Sequence, residues 1–146
     1  MKLLEICYNF LTVLIWNHSD NKNDLMPSAK LLSNHIKFNI GCIDFIRELF
    51  TNNKPLLYSE SDITNVLNNV VTICIHIWDN LGKHEPLTSY YKSKLLDFLR
   101  VLMVFNNKAI KSNQILVMAQ LQSKTNTNLM YILGEEGNIR YHSSVS

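Results

Sequence analysis

The chain is poor in the residues that build tight turns and reactive loops. It has four glycines and three prolines in 146 residues. No Gly-rich loop is present to cradle a phosphate, and no G-x-S-x-G frames a nucleophilic serine. Three cysteines occur, Cys7, Cys42 and Cys74. Their odd number and wide spacing exclude a disulfide framework or a C-x-x-C zinc site. Each lies in an apolar stretch and is expected to be a reduced core thiol of an intracellular protein. None of the histidines, His18, His35, His76, His84 and His142, stands at a metal-ligand spacing. His35 and His76 are expected inside helices, at core or boundary positions. Glu135 and Glu136 are adjacent in a turn and read as a solvated corner. These residues make no case for an enzyme, a metal or a cofactor, so no catalytic, cofactor-binding or metal residue is assigned.

Charge is scarce too. Charged residues make up 18%, below the ~25% usual for soluble domains. The net charge is +2. Lys22, Lys30, Lys37, Lys54 and Lys83 fall singly, and the only local group is Lys92 and Lys94 with Lys108 and Lys111 downstream. Without a basic stripe interleaved with aromatics, nucleic acid is not an expected partner. No uninterrupted apolar run reaches the ~18 residues of a membrane span. The stretch "MKLLEICYNFLTVLIW" is interrupted by Glu5 and Asn9 and lacks a small-residue cleavage site, so a buried amphipathic helix is expected in place of a signal peptide. The chain is expected to be soluble.

What is abundant is apolar sequence, 47% of residues, at helical spacing. In Lys2–Trp16 the expected core stripe is Leu3, Ile6, Cys7, Phe10, Leu14 and Ile15. Polar turn formers in Asn17–Asp24 are expected to break the pattern. Pro27 suits the first turn of a helix over Ser28–Phe38. Ile40–Phe50 carries a broad apolar face, and "PLLYS" reads as a short helical turn. Ser59 and Asp62 resemble a capping box opening a helix that runs to about Leu81 and stops at Gly82. Its stretch "VVTICIHIW" is β-branched, but the cap and the length favour helix. The next helix is expected over Thr88–Phe105, with Asn106-Asn107 as its stop. Ser112 or Asn113 is expected to cap a helix over Ser112–Gln122. Leu129–Leu133 reads as a short helix or strand, and 134–146 as a turn with a weakly ordered tail or strand. The asparagines are scattered, which reads as composition bias and not a prion-like tract. The fold class is therefore all-α, an armadillo/HEAT-like α-solenoid or an irregular helical bundle, with one domain over 1–133.

One stretch is more specific. "FLRVLMVFNNKAIKSNQILV", Phe98–Val117, resembles the hallmark segment of the RIH domain of inositol trisphosphate and ryanodine receptors. Asn106 or Asn107, Lys108, Ile110, Asn113 and Gln114 stand at the matching positions. "NTNLMYIL" matches the leucines that follow. Upstream, "SAKLLSNHIKFNIG" and "IRELFTNNKPLLYSESDITNVLNNVV" are similar to the same domain in order and spacing, so the likeness covers Leu3 to Leu133. The Asn52-Asn53-Lys54 link is more like the inositol trisphosphate receptor; the ryanodine receptor stands second.

The resemblance implies a helical, armadillo-like, non-enzymatic part of a tetrameric calcium-release channel on the cytosolic face of the endoplasmic reticulum. It would adjoin the ligand-binding core and relay ligand binding towards the pore. Its partners would be other channel domains, with a homo-tetramer forming only in a full channel. In the family, basic residues hold the ligand phosphates, as charge-assisted contacts can. Here the family's Tyr-Arg-Lys loop aligns near Asn21-Lys22-Asn23, and only Lys22 keeps a positive charge. Inositol trisphosphate is thus expected to bind weakly or not at all, with Lys22 the single candidate ligand-phosphate residue. The alternative is a stand-alone helical-repeat adaptor that holds a protein partner in a groove. A solenoid segment taken alone exposes an apolar end, so the isolated chain is expected to dimerise or aggregate.

Overall fold

The helical period resolves into eight α-helices among the described residues, which are 2–81 and 86–123 of this computed structural model. They are α1 (Lys2–Ile15), α2 (Ser19–Leu25), α3 (Ala29–Ser33), α4 (Cys42–Phe50), α5 (Lys54–Leu57), α6 (Glu60–Leu81), α7 (Pro86–Leu102) and α8 (Lys111–Gln122). Turns of 3-10 helix flank α3 at Met26–Ser28 and Asn34–Phe38. Strands β1 (Val104–Phe105) and β2 (Lys108–Ala109) pair antiparallel before α8. The fold is all-α apart from this small hairpin.

The core is built around α4. Its buried side chains include Cys42, Ile43, Phe45, Ile46, Leu49 and Phe50, and Ile40 just before it is buried too. The expected broad apolar face is therefore real. Helix α4 packs against α1, α3 and α7, and α6 packs against α3, α7 and α8. Phe50 meets Phe98 of α7 edge to face at 5.7 Å, a favoured aromatic geometry. Tyr91 of α7 donates a buried hydrogen bond to the Ile36 carbonyl, 2.8 Å. At the rim of the same interface Lys94 pairs with Asp44 at 2.8 Å.

Helix α6 starts as its cap signal predicts. The Ser59 hydroxyl lies 3.4 Å from the Asp62 backbone N–H and donates to Asp62 Oδ2 at 2.6 Å. Asp is one methylene shorter than the usual Glu. It meets the hydroxyl, while the Ser59 N–H bonds the Leu56 carbonyl. The stretch "VVTICIHIW" is helical throughout. The expected stop at Gly82, the segment Leu129–Leu133 and the tail 134–146 lie outside the described residues.

Four local expectations are corrected. The polar stretch after α1 is not simply a loop. His18 Nδ1 accepts the Asn21 N–H at 3.3 Å and caps α2, so side-chain capping outweighs turn propensity. The expected helix over 28–38 is split into α3 and a 3-10 turn, which Asn39 closes in the left-handed region at φ 52°. Helix α7 ends at Leu102, three residues early, and Val104–Ala109 forms the hairpin. Neither Ser112 nor Asn113 caps α8; its N-cap is Ile110, with no side-chain bond.

The largest correction concerns α1. Of the expected stripe only Ile15 is buried, and Cys7 is exposed. The buried contacts come from Tyr8 and Ile15, with Leu11 partly covered. The Tyr8 ring packs edge-on against Phe45 at 5.8 Å. Its hydroxyl shares a 2.7 Å hydrogen bond with His35 Nδ1. A tyrosine offers an apolar ring and a polar tip, and here that combination seats the helix better than the aliphatic stripe does.

Candidate functional site

Asparagine replaces the missing glycine at the turns. Among the described residues, every non-glycine with positive φ is an asparagine: Asn17, Asn39, Asn52, Asn106 and Asn107. Asn tolerates the left-handed region better than other L-residues because its short amide bonds locally. The scatter of asparagine is thus partly structural, beyond any composition bias.

Three of these turns' neighbours converge on one corner. Thr51-Asn52-Asn53 ends α4, and the hairpin turn Asn106-Asn107 lies beside it. Asn106 N–H donates to Asn52 Oδ1 at 3.3 Å. Asn106 and Asn107 have φ of 48° and 61°, the positive pair that a two-residue I′ hairpin requires. Tyr58 and Phe105 pack edge to face at 6.2 Å beneath the turn. Buried Asn113, on α8, donates to the Leu57 carbonyl at 2.7 Å and the Leu102 carbonyl at 2.8 Å. These carbonyls lie at the ends of α5 and α7, where helices leave acceptors unsatisfied. Asn113 therefore caps two other helices, not its own.

Lys22 lies on α2, which folds it onto the end of α4. It is only 6% exposed. Its Nζ lies 3.2 Å from Glu48 Oε1 and donates to the Thr51 carbonyl at 2.7 Å. Burying an ammonium is costly unless it is paired and hydrogen-bonded, and both conditions are met here. The aligned loop thus directs its one cation inward, and a phosphate reaching Lys22 would compete with Glu48 and Thr51. Nothing in the local sequence marks Glu48 as the partner of Lys22. The i, i+26 pairing of α2 with α4 becomes visible only once the helices are placed.

A cleft of about 470 Å³ lies between the 34–38 turn, α6 and α7. Phe38, Ile77 and Tyr91 line it, with Lys37, His76 and Asn80 as polar members. His76 and Asn80 bond each other within α6. Among the described residues no three His, Cys, Asp or Glu side chains gather as a metal site would require. Burial pushes the thiols of Cys42 and Cys74 up to about 12, so both stay protonated near neutral pH and are poor nucleophiles. Burial likewise raises Tyr91, with smaller contributions from Cys74 and Tyr90. No described helix is long and apolar enough to cross a membrane.

The family profile described as the RIH domain matches residues 1–131. The chain belongs to the RIH domain family. No curated protein and no solved structure matches it. The RIH domain belongs to the inositol trisphosphate and ryanodine receptor channels, families not known as enzymes. In this RIH domain the hallmark stretch is the asparagine corner itself. The structure brings together Asn106, Asn107, Ile110 and Asn113, with Asn52 from the upstream link, while Lys22 of α2 reaches only the Thr51 carbonyl at the edge of that link, through a buried ammonium. Asn106 and Asn113 tie helix ends together, whereas Lys108 and Gln114 of the same stretch are exposed.

Proposed function

We propose that this RIH domain is a non-enzymatic helical relay or scaffold of an inositol trisphosphate-gated calcium-release channel, forming one helical domain over residues 1–133. The match to the RIH domain over residues 1–131 carries this reading. The packing supports it. A relay needs elements that move as a unit, and α4 is tied to α2 by the buried Lys22–Glu48 pair, to α7 by Phe50 against Phe98 and by Lys94–Asp44 at the rim, and the link that follows it to the corner by the Asn106–Asn52 bond. The inositol trisphosphate receptor is favoured over the ryanodine receptor by the Asn52-Asn53-Lys54 link, whose Asn52 bonds the hallmark turn. Lys22 serves as a structural cation, so inositol trisphosphate binds this chain weakly or not at all. The other channel domains are the partners, in a homo-tetramer on the cytosolic face of the endoplasmic reticulum. The stand-alone adaptor is the second reading, favoured by the apolar side chains that α1 leaves exposed.

Long-read sequencing of transcripts carrying this coding sequence separates the two. The channel reading expects a frame that continues into membrane-spanning segments and is preceded by basic helices. Transcripts that encode only these residues would sink it and leave the adaptor.

A further inference from the structure

Among the described residues, helix α8 is covered on one side only. Asn113, Val117 and Leu121 face inward, towards α6 and the ends of α5 and α7. On the other side Lys111, Gln114, Ile115, Met118, Ala119 and Gln122 line a shallow groove of about 580 Å³. Their alternating steps of three and one make a single stripe along the helix. Ile115 and Met118, in its middle, are 69% and 43% exposed. The one charged residue of α8 is Lys111, at the N-terminal end of the stripe. The helix dipole adds to that positive charge, and the N-cap Ile110 supplies no side-chain bond there. The groove is thus apolar in the middle and positive at one end.

The sequence that follows carries the complementary order. A polar link, "SKTNTN" (123–128), leads away from the C-terminal end of α8 to "LMYIL" (129–133), and then to Gly134, Glu135 and Glu136. Apolar first and acidic second matches the groove, read from its C-terminal to its N-terminal end. The lengths match as well. The twelve residues of α8 span about 18 Å. The seven steps from Asn128 to Glu135 reach up to about 23 Å, so the carboxylates can arrive at Lys111. A link this short holds the run beside the groove at an effective concentration of about 1 mM, which an unattached partner or a second copy has to exceed. The match to the RIH domain also continues past α8 to residue 131, so the start of the run belongs to the domain.

We propose that residues 129–133 dock in the α8 groove of their own chain, antiparallel to the helix, with Ile115 and Met118 beneath them and Glu135 or Glu136 at Lys111. The run then closes the open side of the last described helix, as the end of a helical array requires. The docking is independent of whether the domain serves a channel or an adaptor.

The test uses the whole 146-residue chain and two readouts by mass spectrometry. A carbodiimide joins an ammonium to a carboxylate only where the two touch, and the rate of chymotryptic cleavage after Tyr131 follows the undocked population. The expected results are a link from Lys111 to Glu135 or Glu136 within one chain, equal at about 1 μM and about 100 μM, and cleavage at least about 10-fold slower than in a peptide of residues 124–146. Lys111→Arg keeps the charge and should abolish the link. Ile115→Glu should lower the link and speed the cleavage by about 10-fold or more, as loss of an apolar anchor does. Val13→Glu, on the exposed side of α1, should leave both unchanged. Thermal melts followed by circular dichroism confirm that the variants fold. A wild-type chain without either link, or one cut as fast as the peptide, would overturn the docking, whether another chain or nothing covers the groove. A link formed between isotope-labelled and unlabelled copies in place of one chain would assign the groove to a second copy and overturn it too. So would a link or protection indifferent to Ile115→Glu, which would set the run elsewhere.

Discussion

Helices α1 and α4 touch each other and are both rich in apolar residues, yet the fold uses them in opposite ways. Helix α4 buries most of its side chains, and its outer stripe is marked by Asp44 and Arg47. Helix α1 is longer and buries Tyr8 and Ile15 while its main aliphatic stripe faces outward. The difference lies in the charges. A burial cost fixes which side of α4 meets water, because an unpaired charge does not enter a core. Helix α1 carries Lys2 and Glu5 near one end and no charged stripe, so either side can be the inner one. Apolar spacing locates a face, but charge decides which face is the outside.

The sharpest way to break this contrast is to truncate one phenylalanine on each helix. Phe45 is fully buried between α1 and the rest of the core. Phe45→Ala should cost about 3–5 kcal/mol by loss of apolar burial and by the cavity left behind. Phe10→Ala, studied by urea unfolding at dilutions that keep the chain monomeric, should change stability by about 0.5 kcal/mol or less. Equal losses at the two sites would mean that this chain itself covers the outer side of α1.

The next effect is set at Lys22, which ties α2 to the end of α4. Lys22→Ala leaves Glu48 buried without its cation and should cost about 3 kcal/mol or more in urea unfolding. The double variant Lys22→Met with Glu48→Leu removes both charges and should recover most of that loss. A Lys22→Ala protein as stable as wild type would show that the ammonium is not structural, and would return it to the list of groups free to meet a phosphate.

Much of the fold was legible in the sequence, and the reasons are local. The buried face of α4, the Ser59 start of α6 and the helical state of "VVTICIHIW" follow from spacing, a cap and length. The misreadings share a cause, since each needed a contact from elsewhere in the chain. Tyr8 seats α1 through His35 and Phe45, which come from later elements. Asn113 reads as a cap for its own helix, because its acceptors Leu57 and Leu102 are distant or belong to another helix. Lys22 stands as the one cation where the family's basic loop aligns, and its partner Glu48 lies 26 positions on. The corner was legible as a family marker, but its mechanics were not. An Asn-Asn pair after an apolar run signals a stop equally well for a helix or for a hairpin turn.

That ambiguity yields the smallest effect, and it tests how far the rim of the fold is independent of the hub around α4. In a helix stop one residue takes the left-handed conformation. In a two-residue I′ hairpin both must, and φ is positive at Asn106 and Asn107 alike. Asn107→Ala should therefore cost about 1–2 kcal/mol, the penalty of the left-handed region for a residue with a Cβ and no local amide. Asn107→Gly should be neutral or slightly stabilising, since Asn-Gly is a preferred I′ pair. Thermal melts of the two variants decide the point. If alanine were tolerated as well as glycine, the turn would not need its second left-handed residue. The hairpin would then be a frayed end of α7, and the bond from Asn106 to Asn52 would be a passing contact instead of the tie between the end of α4 and the corner.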